Sequence, residues 1–265
     1  MPLPPVLYHI FPLPIPYLPT LALQNSIHHL QLNLRKSTQD NPDILLLLQH
    51  TPVYTAGRRE VEVKELEAAR LKSAGADWVK SDRGGLTTFH GPGQVVGYPL
   101  WDIGRIGMSA RCYVNNVESS LRDYLQQTFS LRTLDPSPSP GLFTTPERKI
   151  ASLGISVRHR LTAHGFSLNV LHEPVRWFDQ VVACGLEGVG ATSVQDELPS
   201  AGLGEGGMTG VAEGIATAFG GRFGRSMQRL DLDVLGGLEG GTKVRQELEL
   251  LEREGRREWL REPLV

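Results

Sequence analysis

An α/β fold is predicted by three observations. Leu23, Ile27, Leu30 and Leu34 recur at helical spacing just ahead of Ile44 to Leu48, an apolar run of buried-strand length. Ala110, Tyr113, Val114, Val117, Leu121, Tyr124 and Leu125 mark one face of an amphipathic helix, read as packing on a core. Lys149 to Val157 and Leu161 to Leu171 are rich in β-branched and apolar residues and are joined by Arg158, His159 and Arg160, the pattern of an antiparallel pair.

The remaining elements follow in order. Met1 to Leu23 is apolar but carries seven prolines and no basic n-region, so it reads as neither a membrane span nor a secretory signal. Residues 1–39 hold no acidic residue, but Arg35 and Lys36 come late for a mitochondrial presequence. Ala56-Gly57 forms a turn, Val63 to Lys72 suits a helix, and a glycine-rich segment begins at Arg83. Asp135 to Gly141 is a stiff loop, because alternating prolines remove backbone donors. A glycine-rich stretch over 199–207 precedes a helix with Val211, Ile215 and Phe219 on one face, and Thr242 to Glu254 reads as a solvated helix. No internal repeat and no sharp boundary divides the chain. One catalytic domain is expected over 1–235, with insertions near 135–147 and 199–207 and a charged helical tail over 236–265.

Composition narrows the function. The 265 residues include 29 glycines and 18 prolines, well above the usual share, so backbone geometry matters often here. Twenty-seven basic against 29 acidic side chains give no electrostatic footprint for a nucleic-acid binder. Cys112 and Cys184 have no paired Cys or His at metal-ligand spacing, so no structural zinc site is expected, and they read as free thiols in a reducing compartment. Membrane binding is not expected either, since no window approaches the length of an apolar span.

Three segments carry candidate chemistry. Arg83 to Gln94 packs four glycines, an arginine, two threonines and His90 into twelve residues. Its N–H groups and Arg83 could hold a carbonyl or carboxylate oxygen, with His90 donating; it also reads as a tight hairpin with a hydrogen-bonded histidine. It is neither a P-loop nor a dinucleotide fingerprint, lacking the spacing of both. Lys149 enters an otherwise apolar strand, where desolvation would bring its pKa toward the range useful for proton transfer; an exposed strand-end lysine is the alternative. Cys184, in Val-Val-Ala-Cys-Gly-Leu, is a nucleophile only beside a cation or base and is otherwise a buried inert thiol. Cys112 falls in the amphipathic helix and reads as packing. Together the three suggest acyl transfer by a cysteine with a lysine, or with His90 or His164 as base.

These residues resemble the lipoyl (octanoyl) transferases of the lipoate-protein ligase B type. The resemblance rests on Arg83-Gly-Gly-Leu-Thr-Thr-Phe-His-Gly-Pro-Gly-Gln94 with Tyr98-Pro99, on Lys149-Ile-Ala-Ser-Leu-Gly-Ile155, on His164-Gly-Phe-Ser-Leu-Asn169, and on Ala183-Cys-Gly-Leu186 with Thr192-Ser193, in that order. It covers roughly Tyr8 to Leu230, including the strand region Leu45 to Tyr54. It implies a mixed sheet flanked by helices, the domain shared by biotin and lipoate ligases. The implied reaction moves an octanoyl group from acyl carrier protein to a lysine of a lipoyl domain, in 2-oxoacid dehydrogenase complexes or the glycine cleavage H protein, through an acyl-cysteine.

By the same resemblance Cys184 is the nucleophile and Lys149 lowers its pKa and exchanges protons. Arg83, Gly84, Gly85, Leu86, Thr87, Thr88, Phe89 and His90, then Ser152, Leu153 and Gly154, then Gly165, Phe166 and Ser167, fall on the acyl-binding segments. No cofactor is implied, since an activated thioester makes ATP unnecessary. The implied home is the mitochondrion in a eukaryote and the cytoplasm in a bacterium, and the chain is expected to act as a monomer. Ala183 departs from the proline that many members carry there, and the segments at 135–141 and 199–207 look like additions without chemistry. An ATP-dependent ligase of the same fold would need nucleotide and tolerate loss of Cys184. A carrier-binding module would be indifferent to Cys184→Ala.

Overall fold

The computed structural model describes residues 3–37, 41–60, 65–137, 139–181 and 188–255. Its architecture is organised by β2 (Asp43–Leu48), buried at every position. A strand that is apolar without alternation has to be covered on both faces. Ile44, Leu46 and Leu48 join a cluster with Leu23, Ile27, Leu30 and Leu34 of α1 (Tyr17–Ser37). Leu45 and Leu47 join the opposite cluster, with Val117 and Leu121 of α3 (Ala110–Phe129) and Ile215 and Phe219 of α6 (Gly207–Phe223). The result is a helix–sheet–helix layering around one large sheet.

In that sheet β1 (Val6–Ile10) runs parallel between β2 and β11 (Met227–Arg229). On the other side β2, β6 (Gln94–Leu100), β9 (Leu161–Asn169) and β8 (Arg148–Arg158) are antiparallel neighbours. β7 (Gly141–Thr145) pairs antiparallel with β8, and β10 (Gly190–Ala191), which leads into the short α5 (Val194–Glu197), pairs parallel with it. The expected α/β fold with a mixed sheet flanked by helices is the one found. A second, three-stranded sheet sets β3 (Val53–Ala56) between β4 (Asp77–Lys80) and β5 (Thr88–His90). Tyr54 and Phe89 from it pack with Leu71 of α2 (Glu65–Ser73) and Phe178 of α4 (Glu173–Phe178).

The periodic segments became the expected elements. The β8–β9 connection turns on His159 and Arg160, both at positive φ (53° and 63°), the geometry that matches a two-residue hairpin to strand twist. The helix expected over 63–72 is α2, its first two positions lying outside the described residues. α3 starts at Ser109, whose hydroxyl accepts from the Cys112 N–H and caps the first turn. Cys112 is exposed on this helix rather than packed in the core, because it falls off the apolar stripe.

α7 (Leu232–Gly237) leads into α8 (Gly241–Glu254), and here the reading as a solvated helix is incomplete. Val244, Leu248 and Leu251 are buried in the α1 cluster, and Ser26 donates to Glu247 at 2.9 Å. Charged residues outnumber apolar ones in this segment, but the apolar ones fall on one face. At the far edge of the sheet the guanidinium of Arg225 is buried, donating to the Asp43 carboxylate and to the Pro4 carbonyl. Arg105 also reaches Asp43, at 2.6 Å. No helix among the described residues is long and apolar enough to cross a membrane.

Candidate functional site

The glycine-rich loop between β4 and β5 is held by a buried arginine. Arg83 donates from Nε to the Thr55 hydroxyl at 2.9 Å and from its terminal nitrogens to the carbonyls of Thr55, Gly84 (2.9 Å) and Leu86 (2.6 Å). A guanidinium spreads five N–H donors over a planar fork, more and farther apart than the three that a lysine ammonium carries on one nitrogen. Glu60 accepts from both the N–H and the hydroxyl of Thr87, pinning the loop from its other side. Arg83 was expected to meet ligand oxygen; its donors are largely spent on shaping the loop.

This loop roofs a cavity of about 470 Å³, within the range of small-molecule pockets. Arg83, Gly84, Gly85, Leu86, Thr88 and His90 line it from the loop and β5, Lys149, Ser152, Leu153 and Gly154 from β8, and Gly165, Phe166 and Ser167 from β9. Within the sheet β9 lies close against β6 here because residue 165 has no side chain. A Cβ there would stand 2.0 Å from the carbonyl oxygen of Gly97 on β6. Of the expected acyl-binding residues, Thr87 is turned to Glu60 and Phe89 is buried beside Tyr54 and Trp177, its ring stacked on Trp177 at 5.3 Å.

The polar side chains of the cavity are oriented by buried partners. His90 sends its Nδ1–H to Gln94 Oε1 at 2.8 Å, because the Gln94 amide nitrogen is engaged by Asn169 Oδ1 at 2.8 Å. Asn169 in turn donates to the Thr192 carbonyl at 2.9 Å. Burial holds the His90 pKa well below its usual value, so the ring is neutral with Nε2 as its acceptor. Tyr98 donates to His50 Nε2 at 2.7 Å, and burial pushes its phenol well above the ordinary range.

Lys149 reaches the cavity from the start of β8, its Nζ donating to the Pro140 carbonyl at 2.9 Å and lying 5.2 Å from the Phe143 ring centre. The segment over 135–141, read as an addition without chemistry, therefore holds the lysine, and Ser139 and Pro140 line the cavity. Cys184 lies outside the described residues. The chain after it rejoins the sheet at β10, where Ala191 pairs with Lys149 and the Thr192 N–H donates to the Lys149 carbonyl at 2.9 Å.

Tyr17, Arg59, Val114 and Ile155 also line the cavity without having been expected there. Tyr17 stands at the first turn of α1, its ring stacked over His90 at 6.4 Å, and no local pattern marks such a residue. Tyr98 was visible only as part of a motif, and His164 only as an alternative base. Among the described residues no cluster of His, Cys, Asp or Glu could hold a metal ion.

Comparison with known proteins identifies the family. Residues 16–219 match the family described as lipoyl protein ligase A/B catalytic domain. The mitochondrial octanoyl-[acyl-carrier-protein]:protein N-octanoyltransferase of Danio rerio is 39% identical over 177 residues, 67% of this chain and 77% of that protein. The protein of the same description from Homo sapiens is 36% identical over 69% of this chain and 80% of its own length. The octanoyltransferase of Thermobifida fusca is 36% identical over 73% and 80%. Among solved structures, a putative lipoate protein ligase from T. acidophilum superposes with a TM-score of 0.61 at 15% identity, covering 92% of this chain and 93% of that one, a likeness of fold. The chain belongs to the lipoyl protein ligase A/B catalytic domain family, in its octanoyltransferase branch.

Proposed function

We propose that this chain transfers an octanoyl group from acyl carrier protein to a lysine of an acceptor protein by way of a thioester on Cys184. The observation that carries the reading is the convergence of three separated segments, 83–90, 152–154 and 165–167, on one cavity with Lys149 at its wall. Octanoyltransferase relatives from animals and bacteria support the same activity.

In the loading step the Cys184 thiolate attacks the carbonyl of the carrier thioester. The bond from carbonyl carbon to carrier sulfur breaks, and Lys149 protonates the departing thiolate. Ser152 to Gly154 and Gly165 to Ser167 bound the acyl chain, and loop N–H groups face the developing oxyanion. A lysine ammonium beside the thiol raises its thiolate fraction at neutral pH. In the second step the amine of the acceptor displaces Cys184, giving the amide. The thioester is already activated, so no nucleotide is required. The acceptors are lipoyl domains of 2-oxoacid dehydrogenase complexes and the glycine cleavage H protein. The address is mitochondrial in a eukaryotic host, as for the animal relatives, and cytoplasmic in a bacterial one.

Intact mass after mixing with octanoyl-carrier protein tests this. A thioester adduct of octanoyl size on Cys184 is expected, absent in Cys184→Ala and discharged on adding a lipoyl domain. Lys149→Ala slows loading and moves its pH dependence upward. Undiminished transfer by Cys184→Ala without nucleotide would overturn the covalent route, and a requirement for ATP would point to a ligase.

A further inference from the structure

His164 occupies the middle of β9 in a conformation that side chains avoid. Its φ is +58°, in the left-handed region, and its N–H is taken by Oε1 of Gln24, a buried residue of α1, at 2.9 Å. Non-glycine residues persist in this region only where the surroundings impose it, and such positions cluster at functional sites. The imidazole is 3% exposed and borders the acyl cavity. Its Nε2 lies 2.7 Å from Oδ1 of Asp82, whose side chain is half exposed in the loop just ahead of Arg83.

A carboxylate only accepts, so Nε2 carries the proton and Nδ1 is the acceptor of the neutral ring. The hydrogen bond from His164 is the main influence holding the Asp82 carboxyl down to about 2. Among the described residues, the charged or titratable groups around the pair include Arg158 of β8, 3.8 Å from Asp82, the adjoining Arg83, His90 of β5 and Tyr17 of α1, with Arg59, Tyr98 and Lys149 on the same cavity.

Proton counting in the proposed reaction leaves a vacancy that this pair fits. The acceptor lysine arrives as an ammonium at neutral pH and ends as an amide, so its nitrogen sheds two protons. Lys149, having given its proton to the departing carrier thiolate during loading, can take back one. A second acceptor is needed for the other.

We propose that His164, positioned by Asp82, accepts the first proton of the incoming lysine ammonium. The proton passes from the ammonium to Nδ1, and the resulting imidazolium is paired with the Asp82 carboxylate. The freed amine attacks the acyl-Cys184 carbonyl, forming the C–N bond. The C–S bond breaks with its electron pair going to sulfur, and the second nitrogen proton goes to Lys149. The imidazolium then returns its proton to solvent. His164 is thus a catalytic base of the discharge step and Asp82 a positioning residue, an inference that rests on the octanoyl-transfer reading.

The test separates the half-reactions by intact mass on the full chain, using octanoyl-carrier protein for loading and a lipoyl domain for discharge. Asp82→Asn favours the wrong imidazole tautomer, and His164→Gly removes the ring while accepting the same backbone angle. Both variants are expected to slow discharge at least about tenfold more than loading. Discharge to hydroxylamine, an amine unprotonated at neutral pH, should be slowed about tenfold less than discharge to the lipoyl domain. Added imidazole should restore lipoyl-domain discharge to His164→Gly. Equal slowing of both half-reactions, equal slowing with both amines, or no rescue by imidazole would overturn the assignment. Failure of the wild-type chain to form the thioester would instead refute the octanoyl-transfer reading, and this inference with it.

Discussion

Nζ of Lys149 and the carbonyl of Pro140 meet at 2.9 Å across a gap that stays open because the next residue, Gly141, has no side chain. A Cβ at 141 would stand 2.6 Å from Lys149 Cε and 2.4 Å from the Ala151 carbonyl, at a φ of +129°. The lysine of the proposed mechanism is therefore placed by a bare stretch of backbone.

Gly141→Ala is expected to cost about 1–3 kcal/mol in urea unfolding and to slow loading by displacing Lys149. Gly107 supplies the control: its φ is also positive, +66°, but a Cβ there meets nothing within 4 Å. Gly107→Ala should show backbone strain alone and load normally. Equal loading by both variants would dissociate the lysine from residue 141.

Arg83→Lys should loosen the roof of the cavity. Four hydrogen bonds from one guanidinium, to Thr55, Gly84 and Leu86, cannot be reproduced by a single ammonium, and carbonyls facing it lose their donor. Stability is expected to fall by about 2–3 kcal/mol, with a raised KM for octanoyl-carrier protein. An unchanged KM would show that the loop keeps its shape without the fork.

His50 makes stability depend on pH. It donates from Nδ1 to the Ile15 carbonyl at 3.0 Å and accepts from Tyr98, and burial holds its pKa down to about 4 against 6.5 in the unfolded chain. The native ring stays neutral while the unfolded ring takes up a proton below pH 6.5, so stability is complete above that pH and falls as pH drops toward 4. The penalty is on the order of 3 kcal/mol by pH 4. His9 and His28, also held near 4, titrate in the same window, so the informative quantity is the difference from His50→Gln. That gap should narrow on acidification; parallel stability curves would contradict it.

Leu248→Ala should destabilise the whole chain by about 2–5 kcal/mol, because Leu248 is fully buried between α8 and α1. Circular dichroism and tryptophan fluorescence should report one shared urea transition. A separate early transition would mark α8 as an independent appendage.

The fold was legible where its signal is local. Leu23 to Leu34, the stripe from Ala110 to Leu125 and the pair flanking Arg158 to Arg160 each carry their own periodicity, which folding preserved. α8 was half read, since its three inward residues sit among charges that dominate composition but face outward. At the site, glycine density and a lysine in an apolar strand pointed to segments that meet at one cavity. Tyr17 and Pro140 were hidden because tertiary packing alone brings them to the cavity. The Asp82–His164 pair spans 82 positions, and a left-handed histidine leaves no mark in sequence where a glycine would.

The parallel seating of β1 between β2 and β11 sets a condition on synthesis. The first strand emerges from the ribosome early, but its second neighbour and the Arg225 guanidinium arrive only after more than two hundred further residues. Until then β1 presents an open edge, a template for pairing with other chains. A chain stopped at Gly224 keeps every residue of the cavity yet leaves that edge bare and takes one arginine from Asp43. Premature termination there yields an aggregation-prone species rather than a smaller enzyme.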